Sequence, residues 1–214
     1  MEVPRSRADF WVPKLGGEIE KRILAKCLSV RTRVRNFFGS TNHRIYYRTT
    51  GGLYWKVFTD FAPAFVVNGR KGHSTRETWF TANNKEFVKP LIAALSSDVF
   101  WWWYTISTNC RDLNPYDIQN FPVPEAALVD ADIVRLGERY LKDLERNSTM
   151  LVRQQKQTGK TQTQSFKIQK SKAIIDEIDR DLAKHYAFTQ EELDFIINYD
   201  IKYRMGLRDG EADA

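Results

Sequence analysis

Residues Asp98 to Pro124 read DVFWWWYTISTNCRDLNPYDIQNFPVP, and the reading of this stretch decides the fold. Three consecutive tryptophans precede a polar segment, and the stretch closes on Pro-x-Pro. The tryptophans could form a stacking platform for bases or anchor a core helix. At about 100° per residue, three adjacent rings on a helix cannot share one face, which argues for the core. Leu91, Leu95, Val99, Trp102 or Trp103, and Ile106 follow helical spacing, so one apolar stripe is expected from Lys85 onward. Trp101 lies farthest from that stripe and is expected to be partly exposed. Asn114 and Pro115 read as the cap and first residue of a short helix. Phe121-Pro-Val-Pro124 then marks the exit from a mixed α/β unit, residues 1–124, into a helical region, residues 125–214.

Upstream, EIEKRILAKCL (Glu18 to Leu28) has the spacing of a helix, with Gly16-Gly17 before it. In RTRVRNFF the period changes to two, which would put Arg31, Arg33 and Arg35 on one face of an extended chain. HRIYYRTTGGLYWKVFT reads as a hairpin with a tight turn at Gly51-Gly52, between strands near Ile45–Arg48 and Leu53–Thr59. PAFVVN and ETWF read as two more short strands. Between them runs the Gly-rich basic loop NGRKGHSTR, Asn68 to Arg76, suited to a DNA groove or a phosphate, or else simply solvated.

Downstream, a long helix is expected from about Val129 into LVRQQKQ, carrying Ile133, Leu136, Tyr140, Leu144 and Leu151. GKTQTQS would break it. A second helix carries Ile174, Ile178, Leu182 and Tyr186. A third starts at Thr189, where Thr-Gln-Glu-Glu forms a capping box closed by Glu192. The fold class is therefore α+β: a small mixed α/β unit with a β-hairpin and short strands, then helices.

The chain has 214 residues, 42% of them hydrophobic and 13% aromatic. This supports one good core, or one domain with a helical appendage, and excludes a disordered tail. Val99 to Ile106 is too short to span a bilayer, and MEVPRSRADFW lacks the apolar core of a secretory signal. Cys27 and Cys110 are too few for a disulfide framework or a Cys-rich zinc site, and a reducing cytoplasm is the simplest compartment. Residues 1–124 carry 18 Lys/Arg against 10 Asp/Glu, a net +8, while residues 125–214 carry 15 against 17, a net −2. A basic, aromatic-rich first part suggests a polyanion partner, nucleic acid before others, against an ordinary basic surface.

Catalytic patterns are weak. Asn114-Pro115-Tyr116 is similar to the (Asp/Asn)-Pro-Pro-(Tyr/Phe) signature of amino-methyltransferases, but it lacks the second proline and a preceding apolar strand. Asp176, Glu177, Asp179 and Asp181 share a predicted helix, where a solvated face is the expected role. His43, His73 and His185 show no metal-ligand spacing, and His185 is expected to play a structural part near a helix end.

Several stretches resemble one family. They are IYYRTTGGLYWKVFTDFAP, LIAALSSDVFWWWYTIST, NCRDLNPYDIQNFPVP and IIDEIDRDLAKHYAFTQEELDFIINYDIKYRMG. They resemble the TaqI-like C-terminal specificity domain of type IIG-like adenine-specific DNA methyltransferases, over about Glu18 to Gly206. The resemblance implies a target-recognition domain of a restriction-modification enzyme, reading double-stranded DNA beside a methyltransferase catalytic domain or subunit. No cofactor is expected in this chain, since the S-adenosylmethionine loop belongs to that catalytic part. Implied DNA contacts are Arg33, Arg35, Arg48, Arg70, Lys71, His73, Ser74, Arg76, Asn109 and Arg111. The helical region would brace the catalytic part. Two alternatives stay open: a free-standing specificity subunit forming a homodimer through its C-terminal helices and recruiting a methylase, and an enzyme acting by itself.

Overall fold

The computed structural model describes residues 12–51, 54–156 and 159–206. Helix α1, Glu18–Ser29, begins where the Glu20 carboxylate folds back onto the backbone N–H groups of Gly16 and Gly17. A 3-10 turn, Val34–Phe37, follows. This differs from the expected extended RTRVRNFF. Val34 and Phe37 are buried by the turn, and burial outweighs the alternation of arginines.

Strand β1, Arg44–Arg48, lies in the centre of a three-stranded antiparallel sheet between β2, Phe58–Thr59, and β5, Glu77–Thr81. The β1–β2 pair exists, but no tight hairpin turn joins it. Strand β1 ends at Arg48 and β2 begins at Phe58, and Gly52 and Leu53 of the expected hairpin lie outside the described residues. The backbone of Thr49 and Thr50 is engaged elsewhere, at Arg76 and at residues 112–113. Strand β3, Phe65–Val67, turns through Asn68 and Gly69, both at positive φ, into β4, Arg70–Lys71. The basic loop is thus partly a hairpin, a geometry that Gly69 accommodates.

Helix α2, Val88–Ser96, and helix α3, Asp98–Ser107, split what reads as one helical stripe. Ser97 is extended at ψ 162°, and its hydroxyl accepts the Phe100 N–H at 3.1 Å, so it caps α3 and ends α2. All three tryptophans are buried, including Trp101 at 4% exposure, contrary to the expectation of partial exposure. They fan to different neighbours: Trp102 donates to Glu20 at 3.3 Å, Trp103 meets Phe121 edge-on, and Trp101 meets Tyr54. A core covering α3 on every side leaves no ring outward.

The Asn114 cap and Pro115 start are present in α4, Pro115–Gln119, where the Asn114 N–H donates to Asp117 at 2.8 Å. The link Phe121 to Val123 is buried, and Tyr186 donates to the Pro122 carbonyl at 2.5 Å. A short α5, Glu125–Leu128, leads into α6, Ala131–Arg146. Helix α6 stops there, and LVRQQKQ is not helical. Ser148–Gln155 is β6, paired along its length with β7, Gly159–Phe166. Asn147 closes α6 onto Asp143, and the Thr/Val/Gln pattern beyond it suits an extended strand. GKTQTQS is accordingly a strand rather than a break. Strand β7 also pairs with β3, giving a four-stranded sheet in the order β4-β3-β7-β6. Both this sheet and the hydrophobic core extend across residue 124.

Helix α7, Lys172–Tyr186, and helix α8, Gln190–Asn198, match the sequence pattern. The Thr189 box is formed, and Glu192 also binds Lys26 of α1 at 2.6 Å. A last turn, α9, Ile201–Arg204, ends the described tail. The result is a mixed α+β fold with two antiparallel sheets. Among the described residues no helix is long and apolar enough to cross a membrane.

Candidate nucleic-acid interface

Three segments distant in sequence meet at the Arg48 end of β1. The Thr49 N–H donates to the Arg76 carbonyl at 2.9 Å, and the Leu113 N–H donates to the Thr49 carbonyl at 2.8 Å. Thr50 pairs with Asp112 in an isolated antiparallel bridge. The backbone therefore holds the end of β1, the 72–76 turn and the 108–113 segment side by side. Each turn is shaped by short polar side chains. Ser74 accepts the Arg76 N–H at 3.3 Å, Thr108 accepts the Cys110 N–H at 3.0 Å, and Asn109 accepts the Arg111 N–H at 3.0 Å.

Arg48, Arg70, Lys71, His73, Arg76, Asn109 and Arg111 are exposed, and Ser74 is half-buried. Arg70 and Lys71 stand on β4, a strand at the edge of its sheet whose outer side is unpaired among the described residues. Among the described residues, Arg48, Arg70, Lys71 and Arg76 make no ion pair. Arg111 lies 4.0 Å from Asp112. Arg33 and Arg35 are occupied in the first part of the chain. Arg33 donates to the Val30 and Thr32 carbonyls, the latter at 3.1 Å, and Arg35 donates to Asn120 at 2.9 Å. They tie the 3-10 turn to neighbouring backbone and to the end of α4.

Opposite Arg48 across the β1–β5 ladder sits Glu77. Burial pushes its carboxyl up to about 7, while the Arg48 charge acts to lower it. This carboxyl beside the exposed cations has no signal in the sequence beyond its place in a strand.

The acidic stretch on α7 is not the solvated face that the sequence suggests. Asp179 is 0% exposed and accepts the N–H groups that open α3. Lys172 pairs with Asp98 at 3.0 Å and with Asp176, and Arg204 pairs with Asp98. Oxygens of Asp98, Asp176 and Asp179 lie within 4.8 Å of one another. The Lys172 ammonium and the Arg204 guanidinium already supply the positive charge that such a cluster requires. Arg204 itself stacks on Trp55, 3.9 Å from the ring centroid, and its carbonyl accepts the Trp55 indole N–H at 2.9 Å. His185 takes a structural place, 2.9 Å from Asp130. Burial is the largest single influence on the Asp130 carboxyl and raises its pKa, but hydrogen bonds donated by the Asp132 N–H and His185, with the His185 charge, together hold it below the usual range.

Comparison of the chain with protein-family models, with curated proteins and with solved structures finds no match.

Proposed function

We propose that this chain reads double-stranded DNA, as the target-recognition part of a restriction-modification adenine-specific DNA methyltransferase. The observation that carries the reading is the set of exposed cations, Arg48 and Arg76 at the junction with the 108–113 segment and Arg70 and Lys71 on β4, none of which makes an ion pair among the described residues. In this reading the β3–β4 hairpin approaches a groove, since a two-stranded ribbon fits the major groove. The cations neutralise phosphates and supply affinity, while His73, Ser74 and Asn109 offer donors and acceptors to base edges. The helices of residues 125–214, with net charge −2, brace a separate catalytic domain or subunit. Methyl transfer and S-adenosylmethionine belong to that partner.

The test is fluorescence anisotropy on random-sequence duplex, between about 50 and 200 mM salt. The combined variant Arg70→Ala, Lys71→Ala, Arg76→Ala should bind more weakly and flatten the salt slope by about 2 to 3. A folded variant with unchanged affinity and slope would remove the basis of the assignment.

A further inference from the structure

A cleft of about 400 Å³ opens between the two sheets, in the size range of small-molecule sites. Tyr46, Tyr54 and Trp55 give it aromatic walls, and Arg48, Lys56, Glu77 and Arg204 are its charged lining, Arg204 being already paired with Asp98. Lys56 is the unusual member. It is 8% exposed, and among the described residues its ammonium makes no hydrogen bond and no ion pair. Its ammonium lies over the Tyr104 ring, 4.6 Å from the centroid. Burial lowers its pKa, against the opposing charges of Cys110, Asp112 and Asp117. These charges act without a hydrogen bond, and a buried ammonium gains from an anion that reaches it directly.

We propose that this cleft binds a single nucleotide, its base against the Tyr46, Tyr54 and Trp55 rings and its phosphate at Lys56 and Arg48. Flat aromatic walls suit a base, because every base has a face to stack. A buried ammonium and a guanidinium at one cleft suit a phosphate monoanion or dianion. Glu77, near its titration point at neutral pH, can donate or accept at a base edge. The nucleotide can come from two sources. One is a free mononucleotide. The other is a nucleotide unstacked from DNA held at the neighbouring loops, since Arg48 and Ser74 belong to both places. The first source stands apart from the duplex-reading proposal, and the second rests on it.

The experiment uses the full chain in two arms. In the first, the four deoxynucleoside 5′-monophosphates and the matching nucleosides are titrated by calorimetry. In the second, a duplex carrying 2-aminopurine opposite an abasic position is compared with an intact duplex by fluorescence. Saturable binding is expected in at least one arm, weaker for nucleosides than for nucleotides, and reduced about tenfold or more by Lys56→Met. Lys56→Met removes a buried charge, so it should fold at least as well as the parent, and a melting curve verifies this. Should it fail to fold, Tyr54→Ala, at a half-buried wall, takes its place. The proposal is overturned if neither arm saturates by about 1 mM, or if a folded variant binds like the parent. Mononucleotide binding without duplex binding leaves this inference standing while sinking the duplex reading. Duplex binding with both arms silent does the reverse.

Discussion

Asp179 closes the N-terminus of the tryptophan helix from a neighbouring helix, its two oxygens accepting the Asp98 N–H at 3.1 Å and the Val99 N–H at 3.2 Å. This cap comes from across the fold and adds to the local one, Ser97, which takes the Phe100 N–H. Lys172 and Arg204 pair in turn with the Asp98 side chain, so α3, α7 and the C-terminal tail share one buried ionic junction.

Removing that carboxylate should be costly. Asp179→Ala leaves two N–H groups without their acceptor, at a cost of about 2 to 5 kcal/mol. Asp179→Asn retains one carbonyl acceptor and should lose less. Urea denaturation measures both. A change below about 1 kcal/mol for the alanine variant would contradict the junction's role.

Helices α2 and α6 cross at Gly137. A Cβ at this position would lie 2.4 Å from the Lys89 carbonyl oxygen. Gly137→Ala gains about 1 kcal/mol in helix propensity but forces the crossing apart, at about 1 to 3 kcal/mol. The melting temperature should fall. A rise would show that the two helices can separate freely.

Glu77 predicts a pH effect with a definite sign. Its pKa stands raised from 4.5 to about 7 in the folded chain, chiefly by burial. The folded state therefore holds this proton more tightly than the unfolded state. The resulting stability is full below pH 4.5 and is lost as pH rises to about 7. Glu77→Gln should flatten the stability profile across this window and melt higher than the parent above it. Equal pH profiles for parent and variant would exclude a raised Glu77.

What the sequence shows well is what its local chemistry determines. Asn114-Pro115 and Thr189 with Glu192 mark helix starts because their partners lie within three residues. Helix α7 follows its own apolar spacing. The hairpin β6–β7 escapes notice because its outer neighbour, β3, is far upstream, and its polar residues carry neither clear period. Asp179 reads as a surface acid because its partners come from α3 and from the start of α7. The candidate interface divides in the same way. Residues 70–76 stand out as a basic, Gly-rich run, whereas their junction with residues 108–113 rests on backbone hydrogen bonds at Thr49 that no composition encodes. Lys56 is silent for a related reason: an isolated lysine between aromatic residues gives no hint of burial.

The β3–β7 pairing also has a consequence for synthesis. On a ribosome, Phe65 to Lys71 emerge long before the strand that covers them, because Phe65 and Thr163 are register partners. Until the chain beyond α6 has left the exit tunnel, this hairpin has an open edge and a waiting apolar side. Completion of the sheet is therefore a late event, and the nascent chain is most exposed to wrong pairing while its second half is still being made.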